Sequence, residues 1–355
     1  MQYTLAFVAA LAGVVTAQQI DIAAINAAPA PAVTAAPVGV AGQGQLAYNS
    51  DAAAAAAASD AQPAKAAKVK RGDCAVQPDG TGPAVRNPDT AEAFQKSPYF
   101  AFQANAQPFP YNPFPYVEKF RNLNGSTQQN SYLTYYVLDS YNPRTCAAYC
   151  DKVDLCTAFN IYFERDPSVD PGTACPNPPS ITNIKCTLWG SSISRETATN
   201  TGQYREQFHV VVAGSNGYDK TPSFSPAISV PQFDRTANIS GSTISVSPQK
   251  GVYFTADFFS GPFDPSVCGV YAQAQTKANR DAAIARGLSS YQPCNFFGAY
   301  TPYKNKYAQG TMCALYTTPI DASNAKKAAI NSGNDFFDVG ASWTYTLTKQ
   351  DSGKL

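Results

Sequence analysis

Three cysteines stand close together in "YNPRTCAAYCDKVDLC", at Tyr141 to Cys156, with the spacing C-x3-C-x5-C. This spacing is compatible with a metal site, a redox centre or a set of disulfides. Zinc sites usually show paired C-x2-C or Cys/His knuckles, and redox centres favour C-x-x-C. Neither pattern is present, and the only histidine, His209, lies within an apolar strand pattern. The cysteines are therefore predicted to form disulfides in an oxidising compartment, with no metal and no cofactor.

The stretch "ERDPSVDPG" offers Glu164, Asp166 and Asp170 for hydrolysis or calcium binding. Paired-carboxylate hydrolysis needs two carboxylates at a defined separation in a rigid cleft. Calcium loops usually show denser acidic spacing, with a glycine at the bend. Here the carboxylates are interrupted by prolines, which favours a solvated loop in which Glu164 and Arg165 pair with neighbours. No catalytic residue is assigned.

A nucleophile elbow is also absent, because "AGSNG" at 213–217 has alanine where G-x-S-x-G begins with glycine. The aromatic stretches "PFPYNPFPY" and "YLTYY" remain as candidates for binding. Aromatic side chains combine a large apolar area with specific stacking geometry, so they can stack on sugars or anchor protein interfaces. Binding contacts are predicted at Tyr111, Phe114, Tyr116 and Tyr135. Core packing is the competing interpretation, above all for the alternating "YLTYY".

The N-terminus has the pattern of a secreted precursor. An apolar run from Leu5 to Val15 is followed by Val15-Thr16-Ala17, which predicts a signal peptide at 1–17 that is cut after Ala17. The run is shorter than the roughly 20 residues that span a bilayer. Residues 18–71 are rich in Ala and Pro and end at the dibasic pair Lys70-Arg71. They are predicted to be a disordered propeptide that is cut after Arg71.

Charge and sequons indicate a neutral extracellular glycoprotein. The whole chain has 26 basic and 25 acidic residues, and removing the four basic and three acidic residues of 18–71 leaves 22 of each. A neutral chain has no electrostatic attraction for nucleic acid or for an anionic membrane. Sequons at Asn124 and Asn238 predict N-glycosylation. The expected location is secreted, either extracellular or in a cell wall.

The chain also contains an internal repeat. Four signatures recur in the same order, which predicts a duplicated unit. The matched pairs are Tyr141-Asn142-Pro143-x-x-Cys146 with Phe263-Asp264-Pro265-x-x-Cys268, Cys156-x-x-Phe159-x-x-Tyr162 with Cys294-x-x-Phe297-x-x-Tyr300, Cys186-x-Leu188-Trp189 with Cys313-x-Leu315-Tyr316, and Ala198-x-Asn200-Thr201-Gly202 with Ala329-x-Asn331-Ser332-Gly333.

Each signature has a structural meaning. Asn142 or Asp264 followed by proline predicts a helix start, because the side chain caps the helix and proline suits its first position. Cys146 and Cys150 then lie at i and i+4, on one helix face. The stretches "CTAFNIYF", "IKCTLWG" and "FHVVVAG" are typical of strands. The predicted fold class is α+β, with a helix on a largely antiparallel sheet.

These residues resemble the PAN/apple domains of secreted proteins. The likeness rests on Cys146-x3-Cys150, on Cys156 leading into "AFNIYF", and on Cys186 in a "C-x-L-W" strand. The stretch "FNIYFERDPSVDPGTACPNPPS" is also similar to uncharacterised secreted fungal proteins with two such units. The resemblance implies two tandem apple-like domains, each a helix packed on a curled antiparallel sheet, and it implies the disulfides Cys146–Cys186 and Cys150–Cys156. The resulting division is an N-terminal arm rich in proline and aromatics at 72–115, domains at 116–218 and 248–350, and a linker at 219–247.

The second unit departs from this pattern. The repeat carries the helix-to-strand disulfide over as Cys268–Cys313, but Ala272 stands where the family has its second helix cysteine. The helix is expected to continue to a stop at Gly287. The most economical fourth disulfide is then Cys74–Cys175, which leaves Cys294 as a buried free thiol.

The sequence as a whole favours a secreted, non-enzymatic protein that binds a glycan or a protein at the cell surface or matrix. The alternatives are a structural component of a cell wall or fruiting tissue, and a polysaccharide hydrolase that would depend on Glu164 or Asp166.

Overall fold

The computed structural model describes residues 20–28, 46–59, 74–106, 113–221, 228–246 and 252–355. The predicted signal peptide with Ala17, the processing pair Lys70-Arg71 and the candidate Tyr111 lie outside these ranges. The described part is α+β, and its strands pair in antiparallel fashion. The helices are α1 Ile22–Ala27, α2 Ser50–Ser59, α3 Ala91–Gln95, α4 Pro98–Asn105, α5 Pro143–Cys150 and α6 Pro265–Ala285, with 3-10 turns at Arg195–Thr197 and Ala322–Asn324.

The first sheet has the strand order β1-β6-β3-β4-β2, with β5 paired to β6. Alternating residues of its central strand, Phe159, Ile161 and Phe163, enter one apolar cluster with Phe94 of α3 and Phe100 of α4. The side chains of α5 join the same cluster, so all three helices lie on one face of this sheet. The strands are β1 Tyr116–Leu123, β2 Tyr132–Leu138, β3 Ala158–Pro167, β4 Ser180–Trp189, β5 Gly202–Arg205 and β6 Phe208–Lys220.

The second sheet has the order β14-β15-β10-β12-β9, with β7 paired to β15 and β11 paired to β10. A separate two-stranded sheet joins β8 and β13. Helix α6 packs on the face that presents Phe297, Ala299 and Leu315. The strands are β7 Phe233–Asn238, β8 Ser242–Ile244, β9 Tyr253–Ser260, β10 Phe296–Lys304, β11 Tyr307–Ala308, β12 Gly310–Tyr316, β13 Ala325–Lys327, β14 Ala329–Ser332 and β15 Asp335–Leu347. Residues 116–220 are called the first unit below, and residues 233–347 the second unit.

Both main helices begin as the sequence predicts. The Asn142 side chain accepts the Arg144 N–H at 3.0 Å at the start of α5. Asp264 accepts the Ser266 N–H at 3.0 Å at the start of α6. In each case proline occupies the first turn, where a missing N–H has no cost. The 21-residue α6 ends just before Gly287, whose φ of +65° suits glycine.

Four disulfides tie these elements together, and they are the pairs expected above. In each unit the helix is joined to the strand next to the sheet centre, because Cys186 lies on β4 and Cys313 on β12. Cys294 is buried and free, and burial raises the pKa of its thiol to about 12. The four pairs are Cys74–Cys175, Cys146–Cys186, Cys150–Cys156 and Cys268–Cys313.

Two segments differ from their predicted roles. The segment 219–247, expected to be a linker, carries β7, which extends the second sheet, and β8. The segment 18–71, expected to be disordered, contains the helices α1 and α2, and Ile20, Ile25 and Ala57 in it are each at most 4% exposed. Packing against the second unit supplies the burial that the sequence of this segment alone does not offer.

The two units contact each other at β11 with the turn before it, and at the turn before α6. Glu196 accepts hydrogen bonds from the Lys306 ammonium at 2.6 Å and, through its carbonyl, from the Tyr307 hydroxyl at 2.7 Å. The Phe263 N–H donates to the Gly190 carbonyl at 3.1 Å. Among the described helices, none combines the length and the apolar character needed to cross a membrane.

Candidate functional site

The most concentrated group of ionisable side chains lies on β3 and β4. Glu164 and Asp166 are two residues apart on β3, so they share one face of the first sheet. Lys185 lies on the adjacent β4, directly opposite Tyr162 and diagonal to Glu164. Its ammonium contacts the Glu164 carboxyl and lies 3.0 Å from Asp166 Oδ2, which also accepts the Asn183 amide at 2.8 Å. We call Glu164, Asp166 and Lys185 the ionic cluster.

Burial determines the protonation state of the ionic cluster. The three side chains are at most 3% exposed, and two carboxylates beside one ammonium would leave an uncompensated negative charge in the interior. Burial and the neighbouring Asp166 raise the pKa of Glu164 from 4.5 to about 8. Burial acts in the same direction on Asp166, but Lys185 and the Asn183 amide outweigh it and lower its pKa. The cluster therefore carries one proton on Glu164 at neutral pH and has no net charge.

A protonated Glu164 also resolves a hydrogen-bonding deficit. Asp166 Oδ1 is buried and has no conventional partner among the described residues. The two carboxyl groups lie within hydrogen-bonding reach, so the Glu164 proton can be donated to Asp166. Lys185 lies closer to Glu164 than to Asp166. Asp166 nevertheless carries the negative charge, because the Asn183 amide gives it a second hydrogen-bond donor.

This position corrects the expectation of a solvated acidic loop. Strand β3 continues through Glu164, Arg165 and Asp166 to Pro167 instead of ending before them. Arg165 pairs with Asp89 at 2.7 Å and not with a loop neighbour. The cross-strand partner Lys185 stabilises the extended backbone in a way that the local sequence does not reveal. The three side chains of the cluster are buried. This is the geometry of a structural ion group and not of a hydrolytic cleft.

Asp170, the third carboxylate of the stretch, lies apart from the ionic cluster. Its backbone pairs with the N-terminal arm: the Cys74 N–H donates to the Asp170 carbonyl at 3.1 Å, and the Asp170 N–H donates to the Ala75 carbonyl at 2.8 Å. No group of three or more His, Cys, Asp or Glu side chains in the described ranges is arranged to hold a metal ion.

The predicted binding aromatics separate into buried and exposed residues. Tyr116 is 4% exposed, and its hydroxyl donates to Asp151 at 2.9 Å. Tyr135 is 3% exposed, so neither tyrosine can stack on a ligand at the surface. Tyr116 belongs to the apolar cluster beneath the helices, whereas Tyr135 lies on the opposite face of the sheet, near the ionic cluster. Phe114, just before β1, is 78% exposed.

The structure adds exposed aromatics that the sequence analysis missed. Tyr99 and Phe102 on α4 are 46% and 67% exposed, and Val117 on β1 is 48% exposed. Helix α4 packs against β1, and we group these three residues with Phe114 under the name arm patch. The three-residue spacing of Tyr99 and Phe102 could have indicated their exposure, because it brings both side chains to one side of the helix while Phe100 enters the core.

His209 lies on β6, as its apolar flanks predict. Its ring stacks on the 68%-exposed Tyr204 across the β5–β6 pair, with centroids 4.1 Å apart. Ser215 of "AGSNG" lies on β6, and its hydroxyl accepts the Asn160 amide at 2.9 Å. The segment is a buried strand and not a nucleophile elbow.

Both sequon asparagines are exposed. Asn238 ends β7, and its side-chain oxygen accepts the Ser240 hydroxyl at 2.8 Å. Asn124 follows β1, next to a residue pairing between Ser126 and Asn200. Exposure satisfies the first requirement for glycosylation at either site.

Comparison with known proteins adds no further constraint. No family model, no curated protein and no solved structure matches this chain.

Proposed function

We propose that the chain is a secreted, non-catalytic binding protein that recognises a glycan or a protein at the cell surface or matrix. It uses the arm patch as its contact surface. The observation that carries the proposal is the exposure of Phe102 and Phe114, at 67% and 78%, on neighbouring elements of a chain whose other large aromatics are mostly buried. Contiguous exposed apolar patches on soluble proteins commonly mark interaction sites.

The proposal includes two tandem apple-like domains. In each unit a helix lies on an antiparallel sheet and is tied by a disulfide to a strand next to the sheet centre, through Cys186 on β4 or Cys313 on β12. These features support the resemblance carried by the cysteine spacing. Secretion to the cell exterior or wall is supported by the N-terminal apolar run, the four disulfides and the exposed sequons.

The ionic cluster supports a non-catalytic role. Glu164 and Asp166 are each 2% exposed and share one proton beside Lys185. A carboxyl pair that hydrolyses a glycoside must reach both the sugar and a water molecule, and these carboxyls are buried.

A polysaccharide pull-down and a glycan array on the secreted protein test this proposal. Phe102→Ala combined with Phe114→Ala should weaken retention about thirtyfold or more, since each buried aromatic anchor contributes roughly 1–2 kcal/mol at an interface. The matched control is Ile284→Ala with Leu288→Ala, which removes two exposed apolar side chains at the end of α6, at 56% and 53% exposure. Equal retention by both variants would reject the arm patch as the contact surface.

A further inference from the structure

The predicted propeptide contributes two helices to the folded protein. Residues 20–28 and 46–59, which we call the docked segment, both contact the second unit. Ile25 of α1 and Ile20, which precedes this helix, are 2% and 4% exposed and pack against one sheet face. Helix α2 packs on α6 and places Ala57 at 1% exposure within the cluster beneath that helix.

The surface beneath α1 is apolar. It consists of Tyr300 on β10, Met312 on β12, and Phe337 and Val339 on β15, and we call these four residues the outer face. They point away from α6, because Phe297, Ala299 and Leu315 occupy the side that α6 covers. Along its edge, the Lys304 ammonium donates to the Asn26 side-chain oxygen at 2.8 Å. The outer face therefore receives both aliphatic and polar contacts from α1.

The internal repeat shows that the equivalent face of the first unit carries different side chains. Counting from the matched cysteines, Lys185 corresponds to Met312, and Tyr162 corresponds to Tyr300. Where the first unit holds the ionic cluster, the second unit has apolar side chains that need a cover. The docked segment supplies that cover in the intact chain.

A second anchor lies between the two units. The Tyr48 hydroxyl donates to the Asp264 carboxylate at 3.0 Å, at the capping position of α6. One residue earlier, the Ala47 N–H donates to the Leu133 carbonyl of β2 at 2.7 Å. The docked segment thus contacts both sheets as well as both faces of the second unit.

We propose that the docked segment is an intramolecular ligand, and that cutting the chain after Arg71 releases it and opens the outer face to a short helix with aliphatic side chains from a partner protein. The chemistry of that partner follows from residues 20–28, which present three isoleucines and the Asn26 side-chain amide to the outer face and its edge. The proposal rests on the sequence-based expectation of the cut and is independent of what the arm patch binds.

Release follows from the loss of the tether. The docked segment is held by Ile20, Ile22, Ala24 and Ile25 on the outer face, by Ala53 and Ala57 beside α6, and by hydrogen bonds such as that from Tyr48 to Asp264. While the chain is continuous, the tether keeps the effective concentration of the segment high. After the cut, the same contacts must also offset the translational and rotational freedom that association removes. A fragment that binds through two short helices should therefore leave the body at micromolar concentration.

The test uses the full chain with Lys70-Arg71 replaced by a unique site for a sequence-specific protease, so that Lys326-Lys327 is not cut. After cleavage, the N-terminal fragment should separate from the body on size exclusion, and the body should bind several-fold more of the fluorescent probe ANS than the uncut chain. Coelution of the fragment with the body, or unchanged ANS binding, would overturn the proposal.

A synthetic peptide of residues 18–59 identifies the surface. It should displace ANS from the cut body but bind no uncut chain. The variant peptide with Ile20→Asp and Ile25→Asp should fail, whereas Ala23→Asp, at an exposed position of α1, should still compete. Equal competition by both variant peptides would show that α1 does not recognise the outer face.

Discussion

Lys185 lies between the Glu164 and Asp166 carboxyl groups, which have almost no contact with solvent. Its own side chain is 3% exposed. Replacing one partner of a buried ion group leaves an uncompensated charge, whereas replacing an exposed partner changes little. Substitutions in the ionic cluster should therefore change the free energy of unfolding, and its contribution should depend on pH.

Lys185→Met should lower the free energy of unfolding by about 3–5 kcal/mol, because Asp166 would keep a buried charge without its ammonium. Urea denaturation measures the change. Lys277→Met is the control, since Lys277 pairs with Asp281 at the surface with 78% and 56% exposure, and it should change stability by less than about 0.5 kcal/mol. A loss in Lys185→Met no larger than in this control would contradict the structural role of the cluster.

Glu164 should make stability fall as the pH rises. Its pKa is about 8 in the folded chain and 4.5 in the unfolded chain, so the folded state binds more protons between these values. The contribution is complete below pH 4.5 and is lost as the pH passes through 8. Glu164→Gln mimics the protonated form and removes this dependence.

The difference in stability between the natural protein and Glu164→Gln should therefore decrease by roughly 1–3 kcal/mol from pH 6 to pH 8, as measured by urea unfolding at each pH. Asp219, whose pKa burial raises to about 6, titrates in both proteins and cancels. A difference that stays constant over this range would mean that Glu164 is ionised in the folded chain.

At the scale of elements, the sequence predicts the helix starts, three of the strands and the cysteine partners. The helix starts and strands are local features: Asn142 and Asp264 cap helices, and β-branched and aromatic residues mark β3 and β4. The cysteine partners follow from the family resemblance, the repeat and the cysteines that remain. The acidic end of β3 was not predictable, because the partner that stabilises it, Lys185, lies on another strand. The burial of Tyr116 and Tyr135 also depends on residues that are remote in sequence. The docking of α1 depends on the outer face, which includes Met312.

The disulfides should differ in their contribution according to the chain length that each one encloses. Cys74 and Cys175 are 101 residues apart, whereas Cys150 and Cys156 are 6 apart. The loop-entropy relation gives about 4–5 kcal/mol for the first and about 2 kcal/mol for the second. Thermal and urea unfolding of the two double Cys→Ala variants should show the larger loss for Cys74 and Cys175. The opposite order would indicate that packing around the buried Cys150 and Cys156 outweighs loop entropy.

At the scale of the whole molecule, the two units are expected to unfold together. Their contact includes Gly190, where an added Cβ would overlap the Cβ of Pro262 from the second unit. The Gly190 backbone also accepts the Phe263 N–H, so a displacement there would weaken both the packing and the hydrogen bond. The cooperative unfolding of the two units is expected to depend on this close contact between Gly190 and Pro262.

Calorimetry should show one transition for the natural protein and two separated transitions for Gly190→Ala. Gly298→Ala is the control, because an added Cβ at Gly298 has no atom within 4 Å apart from its own chain neighbours. A single unshifted transition in Gly190→Ala would mean that the contact between the units adds nothing to their cooperativity.

Ala272 follows Cys268 by four residues, where Cys150 follows Cys146 in the first unit, and this difference affects the length of each helix. In the first unit, the bond between Cys150 and Cys156 requires the chain to turn back at once, and α5 ends after 8 residues. In the second unit, Ala272 allows α6 to continue for 21 residues, and Ala57 of α2 enters the same apolar cluster as Ala272. The absence of a second helix cysteine thus coincides with a helix long enough to form the surface on which α2 lies.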